Sequence, residues 1–65
     1  MKIVHLKLAS KMAQKGITQK DLAEQMHMTK SAINRRMTGA VEWNVSDIKN
    51  LCGIFGATFE ELFGD

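Results

Sequence analysis

The sequence predicts an all-α, compact domain built from five short helices. Apolar residues recur mainly at intervals of three and four, which is the spacing of amphipathic helices. No pair of alternating segments joined by a hairpin turn is present, so the pattern does not favour a sheet. With 65 residues, the chain has room for one small core and no separate catalytic or ligand domain. We therefore expect a single domain over residues 1–65.

The first helix is predicted from Val4, Leu8 and Met12, which lie four residues apart. Gly16 is expected to end it. Its start stays open, because Val4, Leu6 and Leu8 also alternate with polar residues, as they would in a short strand.

The second and third helices are each predicted to begin at a threonine. Thr18 is the expected N-cap of the second helix, and Asp21 lies where a negative charge favours the positive helix end. Thr29 is the expected N-cap of the third helix, which runs through Met37 and ends at Gly39.

The connection between these two helices is unusually short. Only Met26, His27 and Met28 separate them, which is too few residues for an antiparallel hairpin. Two helices joined so tightly cross steeply, as they do in a helix-turn-helix, whose second helix can enter the major groove of DNA. We place this motif at about residues 18–38.

The last two helices are predicted from a cap and an apolar face each. Ser46 is the expected N-cap of the fourth helix and Gly56 its end, and the apolar face between them consists of Ile48, Leu51, Cys52 and Phe55. Thr58 and Glu61 form the pattern of a capping box at the start of the fifth helix. Its inward-pointing residues are expected to be Phe59, Leu62 and Phe63.

Charge is divided unevenly along the chain. Residues 1–40 carry eight basic and two acidic side chains, whereas residues 41–65 carry one basic and five acidic side chains. The basic half suits a polyanionic partner, although a solvated lysine-rich face is the alternative.

The third helix concentrates hydrogen-bonding groups on its outer face. On a helical wheel the inner side is apolar, and the outer side consists of Lys30, Ser31, Asn34 and Arg35. Arginine and lysine can donate to guanine, asparagine can pair with adenine, and serine can reach either base. A polar, solvated face is again the alternative reading of this helix alone.

Residues 18–39 resemble the lambda-repressor-like, Cro/XRE-type helix-turn-helix family of phage and bacterial proteins. The TQxxLA opening of that family is present at residues 18–23, and its ending is nearly matched by residues 28–35 followed by Gly39. Residues 51–63 also resemble the fourth and fifth helices of the family. The resemblance implies a sequence-specific, double-stranded-DNA-binding transcriptional regulator of the Cro-like repressor kind, with the third helix in the major groove.

The resemblance also implies a role for each matching residue. Lys30, Ser31 and Arg35 correspond to base-reading positions, with Asn34 as a helper, and Gln19 corresponds to a residue that contacts phosphate and braces the reading helix. The other side chains that we expect against the DNA backbone are Thr18, Lys20, Thr29, Arg36, Thr38 and Asn44. For Thr29, a helix cap alone is the alternative.

Three departures from the family pattern have structural consequences. His27 stands where glycine is usual, so a residue with a Cβ is expected to adopt positive φ. Arg36 replaces an apolar residue on the core side of the helix, so it must extend its charge outward or face a partner. Residues 40–45 lack lysine and arginine, which leaves Asn44 or main-chain N–H groups for phosphate contacts there.

A homodimer on an inverted-repeat operator is expected, at least when DNA is bound. One such module makes few base contacts, and two half-sites about one helical turn apart increase specificity. The expected dimer contacts are Trp43, Phe59 and Phe63. Trp43 has two open readings, because it can fold back on the core or lie exposed in a subunit contact.

Enzymatic and metal-binding functions are not predicted. Cys52 lies on an apolar stripe, where a thiol behaves as a small hydrophobe, and one cysteine with two histidines lacks metal-ligand spacing. No nucleophile–histidine–carboxylate pattern and no glycine-rich phosphate loop is present, so we expect no cofactor and no small-molecule ligand.

The expected location is the cytoplasm or nucleoid of a bacterial host. The first eight residues are interrupted by Lys2, His5 and Lys7, and no apolar run approaches the ~20 residues of a membrane span. The alternative function is a protein-interaction module, such as an antirepressor or an antitoxin component, which the basic outer face of the third helix disfavours.

Overall fold

The computed structural model describes residues 2–64, and within that range the chain forms five α-helices and no strand. The helices are α1 (Leu6–Lys15), α2 (Gln19–Met26), α3 (Lys30–Met37), α4 (Val45–Phe55) and α5 (Phe59–Phe63). The predicted all-α class is therefore confirmed. The alternating segment near the start of the chain belongs mostly to α1, which excludes the strand alternative.

The residues that precede α1 are attached to the far end of α3. The backbone N–H groups of Val4 and His5 both donate to the carbonyl oxygen of Met37, at N–O distances of 2.9 and 3.4 Å. These bonds satisfy a carbonyl in the last turn of α3, where no intrahelical partner exists.

Side-chain caps mark the starts of α2, α3, α4 and α5, whereas α1 has no such cap. A reciprocal capping box, in which each side chain accepts from the other residue's backbone N–H, starts α2 (Thr18 and Asp21), α4 (Asn44 and Asp47) and α5 (Thr58 and Glu61). α3 has the simpler cap, in which Thr29 Oγ1 accepts from the Ala32 N–H at 3.0 Å. The predicted cap at Ser46 is wrong, because the Asn44–Asp47 box starts α4 two residues earlier.

Three of the helices end at a residue in the left-handed region. Gly16 and Gly56 occupy these positions after α1 and α4, with φ of 67° and 58°. After α2 the position is taken by His27, with φ 57° and ψ 42°, which confirms the expected positive φ. The N–H groups of His27 and Met28 donate to carbonyls in the last turn of α2, as in a Schellman motif.

Each helix contributes to one apolar core. The fully buried large side chains are Leu8, Leu22, Ile33, Met37, Leu51 and Leu62. Trp43 joins this core with 9% of its surface exposed, so the tryptophan folds back on the core. Cys52 is a free, half-buried thiol packed against the same cluster. Among residues 2–64, no helix has the length and apolar composition needed to cross a bilayer.

Phe59 does not point into the core. It is 55% exposed, so the expectation that it faces inward is wrong. The single turn of α5 inserts Leu62 into the core, and Phe59 instead lies against Phe63, with ring centroids 5.4 Å apart.

Candidate nucleic-acid interface

The helix pair α2 and α3 is packed together through apolar side chains. These two helices form the most extensive helix–helix contact within residues 2–64. Leu22 of α2 and Ile33 of α3 are both fully buried. Since the inner sides of both helices are fixed in the core, the polar side of α3 is directed away from it.

The predicted base-reading residues share this outer side of α3. Lys30, Ser31 and Arg35 are exposed, and Asn34 is half-buried. Arg35 Nη2 donates to Ser31 Oγ at 3.2 Å across one turn of the helix. An arginine carries five N–H donors, so this bond leaves the others available to an external acceptor.

A side-chain hydrogen bond joins α3 to the start of α2. Asn34 Nδ2 donates to Gln19 Oε1 at 3.4 Å. The bond leaves the Asn34 Oδ1 acceptor and the Gln19 amide donors available, because each amide group has both donor and acceptor atoms. Gln19 is thus placed where it can brace α3 and still meet a phosphate.

The N-terminus of α2 carries a fixed negative charge. Asp21 Oδ2 accepts from the Thr18 N–H at 3.0 Å, and Thr18 Oγ1 accepts from the Asp21 N–H at 3.1 Å. Hydrogen bonding to the carboxyl from the backbone N–H of Thr18 and from its side chain, with a smaller contribution from the charge of Lys20, holds the pKa of Asp21 below its ordinary value. The charge of Asp21 therefore opposes an anion at this end of α2, whose helix dipole alone would favour one.

Four of the residues expected on the DNA backbone also act as caps, and Thr18 at the start of α2 is the first of them. Thr29 caps α3, and Thr38 Oγ1 at its other end donates to the Arg35 carbonyl at 3.1 Å. Asn44 caps α4, with its Oδ1 accepting from the Asp47 N–H at 2.7 Å. Capping leaves the Thr29 hydroxyl hydrogen and the Asn44 amide donors for another acceptor.

Arg36 lies apart from the outer side of α3. Its Nε is 3.4 Å from Asp47 Oδ2, and its Nη1 donates to the Ala32 carbonyl at 3.1 Å. Only 19% of the Arg36 side chain is exposed. The wheel position of Arg36 correctly indicates the core side, but Asp47 as its partner was missed. The signal for Asp47 was its spacing of three residues from Asn44, which is typical of a capping box.

The polar groups on the outer side of α3 suit contacts with a polyanion. Within residues 2–64, no three side chains of the histidine, cysteine, aspartate and glutamate types lie together as metal ligands would. The outer side of α3 presents amide, hydroxyl and cationic groups, which are the groups that bind base edges and phosphates.

Comparisons with known proteins agree with this arrangement. The structure resembles the crystal structure of the clp gene regulator ClgR from C. glutamicum, with a TM-score of 0.76 and 24% identity, covering 89% of this chain and 75% of that one. This likeness shows a shared fold. A search of curated proteins gave no match. Residues 7–65 match the family model described as Cro/C1-type HTH DNA-binding domain, and this match spans the helix-turn-helix and the helices that support it. The predicted family is thereby confirmed: the chain belongs to the Cro/C1-type helix-turn-helix DNA-binding domain family.

Proposed function

We propose that this chain is a sequence-specific regulator of transcription that reads double-stranded DNA with α3 in the major groove. The observation that carries the proposal is the outer side of α3, where four polar side chains, Lys30, Ser31, Asn34 and Arg35, are presented together without an acidic residue. In helix-turn-helix proteins, residues near the start of the second helix contact base edges. Lys30 and Ser31 are the first two residues of α3.

Each reading residue suits a particular base edge. Arg35 and Lys30 can donate to O6 and N7 of guanine, and Asn34 can exchange two hydrogen bonds with adenine. The bond between Arg35 and Ser31 restricts the arginine side chain before DNA arrives. Such restriction reduces the entropy that the side chain would lose on binding.

The DNA backbone is assigned to the side chains that flank α3. Gln19 and Lys20 extend from the first turn of α2, and Thr29 and Thr38 lie at the two ends of α3. Asn44 at the start of α4 and Thr18 at the start of α2 complete the proposed set. We leave Arg36 out, because its guanidinium is engaged within the fold.

We also propose that two copies bind an inverted repeat. An open groove of about 390 Å³ lies beside the C-terminal end of α3 and is lined in part by Val4, Val41, Phe59 and Phe63. Val4 and Phe59 are 53% and 55% exposed. Since Val4 is hydrogen-bonded to the last turn of α3, a two-fold axis through this groove would turn the C-terminal ends of two α3 helices toward each other.

Trp43 lies beneath this groove, so we assign the dimer contact to Phe59 and Phe63. The tryptophan indole is buried, and its centroid is 6.5 Å from that of Phe63 in an edge-on arrangement. Trp43 therefore supports the surface that the phenylalanines present.

Selection from a random duplex pool at moderate salt tests the proposal. We expect sequencing of the retained duplexes to show an inverted repeat, with half-sites about one helical turn apart. A single enriched half-site would contradict the dimer, and retention without enrichment would contradict sequence-specific reading. Binding should also fall steeply with salt, because phosphate contacts release counterions. Cro-like repression is tested by placing the selected site over a promoter, where the protein should lower transcription.

The second candidate function is a protein-interaction module, such as an antirepressor or an antitoxin component. The exposed aliphatic and aromatic residues of the groove are the observation that favours it. A folded protein that retains no duplex at low salt would support this second function over DNA reading.

A further inference from the structure

One ion pair joins the proposed reading helix to α4. Arg36 Nε lies 3.4 Å from Asp47 Oδ2, and the two side chains are 19% and 7% exposed. The other ion pair observed between helices, Lys11 with Glu61, is longer at 4.0 Å, and its side chains are 31% and 53% exposed. The Arg36–Asp47 pair is therefore much better shielded from water and salt.

Both members of the pair are held by further contacts within their own helices. Asp47 Oδ2 also accepts from the Asn44 N–H at 3.3 Å, and Arg36 Nη1 donates to the Ala32 carbonyl at 3.1 Å. The buried Arg36 Nε has no hydrogen-bond partner of suitable angle, so its contact with Asp47 is electrostatic. Loss of either member would leave the other charge buried and unpaired, which proteins tolerate poorly.

Directional contacts are needed to fix the rotation of a short helix. The hydrophobic effect is non-directional, and α3 has only eight residues through which side-chain packing can define its rotation. A rotation of about 20° moves a side-chain atom roughly 5 Å from the helix axis by about 2 Å. This displacement exceeds the tolerance of a hydrogen bond to a base, whose length varies by only about 0.5 Å.

Two polar contacts on different sides of α3 restrict such rotation. Asn34 is bonded to Gln19 of α2, and Arg36 is paired with Asp47 of α4. Arg36 directly follows Arg35, so a restraint on Arg36 also restrains the base-facing residue beside it.

We propose that Arg36 and Asp47 are positioning residues, which hold α3 at the rotation required for reading bases without touching DNA. This inference rests on the proposed function of α3. It assigns the positive charge of Arg36 to a contact within the fold, although Arg36 directly follows the base-facing Arg35 in the sequence.

A double-mutant cycle on DNA binding tests the proposal. The variants are Arg36→Met, Asp47→Asn and the double variant, each measured on the selected duplex and on a scrambled duplex, with the folded fraction measured by circular dichroism. We expect each single change to lower the ratio of specific to scrambled affinity at least tenfold. The ratio of the double variant should be no lower than that of the more impaired single variant. The salt dependence of binding should stay unchanged. If Arg36→Met does not fold, the nearly isosteric Asp47→Asn carries the test.

A matched control pair is available in Lys11 and Glu61. Glu61, like Asp47, is the acidic member of a capping box and pairs with a cation from another helix. The variants Lys11→Met and Glu61→Gln should leave the ratio of specific to scrambled affinity unchanged.

Two results of the cycle would overturn the proposal. If Arg36 binds phosphate, Asp47→Asn should raise affinity for both duplexes, and Arg36→Met should reduce the salt slope by about one. If the pair only stabilises the fold, both affinities should fall in proportion to the folded fraction, and their ratio should not change.

A measurement without DNA separates this proposal from the proposed function. Residual dipolar couplings of the backbone amides give the orientation of α3 relative to α4 in the unchanged protein and in Asp47→Asn. We expect α3 to reorient in the variant while α4 and α5 keep their arrangement. An unchanged α3 would overturn the positioning role, whether or not the protein selects a duplex.

Discussion

Replacing His27 by glycine should stabilise the protein. His27 has φ 57° and ψ 42°, a left-handed conformation that costs a residue with a Cβ about 1–2 kcal/mol. Glycine removes this strain but adds about 0.5–1 kcal/mol of entropy cost on folding. The side chain of His27 is exposed, and both backbone hydrogen bonds at this helix end would remain. The difference between these two terms is about 0–1.5 kcal/mol, and its midpoint of about 0.75 kcal/mol raises Tm by roughly 3–6 °C in a domain of this size.

Thermal and urea unfolding followed by circular dichroism measure this gain. His27→Ala is the first control, since it removes the imidazole but retains a Cβ, and it should give no gain. Gly16→Ala is the second, because Gly16 has φ 67° and open space around an added Cβ. It should destabilise the protein by about 1 kcal/mol or more.

The reasoning would be refuted by either of two results. A lower Tm for His27→Gly would show that the imidazole makes a favourable contribution larger than the backbone strain. An equal rise in Tm for His27→Ala and His27→Gly would show that loss of the imidazole, and not the backbone conformation, is responsible.

Four further predictions concern stability and DNA binding. The pKa of Asp21 is held below its ordinary value of 3.8, so the stability that its charge contributes is present above that value and lost as pH falls through the lowered pKa. The stability deficit of Asp21→Asn in urea unfolding should thus be constant above about pH 5 and disappear in strong acid; a deficit that persists there would contradict this origin. Leu51→Ala should lower the free energy of unfolding by about 2–5 kcal/mol in the same assay, since Leu51 is fully buried. Val45→Ala, on the exposed side of the same helix, should lower it by less than about 0.5 kcal/mol. Arg35→Ala should weaken binding to the selected duplex by about 1–3 kcal/mol and relax preference at one base position; an equal loss on every duplex would make Arg35 a phosphate ligand. Gln19→Ala should weaken binding to every duplex in titrations, and loss of the Asn34 contact should also reduce the spread of affinities without changing which duplex is preferred. A changed preference would refute its backbone role.

The helices were predictable because their signals are local. Apolar spacing and the two threonine caps locate α2 and α3 within a residue or two. The start of α4 was missed because serine and asparagine cap equally well. Only Asn44 has an acidic residue three positions later to complete the box, whereas the residue at that distance from Ser46 is Lys49.

The proposed interface was only partly accessible from sequence. A helical wheel places Lys30, Ser31 and Arg35 on one side of α3, as the structure has them. The pairing of Arg36 with Asp47 depends on how α3 and α4 cross, and this is a tertiary property that no local pattern contains. The exposure of Phe59 likewise depends on α5 being a single turn.

The hydrogen bonds from Val4 and His5 to Met37 limit how far this protein can be truncated. An isolated peptide of residues 18–38 would lose both donors to the last turn of α3, and helices of eight residues are not stable alone in water. During synthesis these two hydrogen bonds cannot form until residue 37 has been made, because the Met37 acceptor lies more than thirty positions after the two donors. The smallest fragment expected to keep the DNA-binding fold therefore includes the segment before α1. Grafting α2 and α3 alone onto another scaffold should fail.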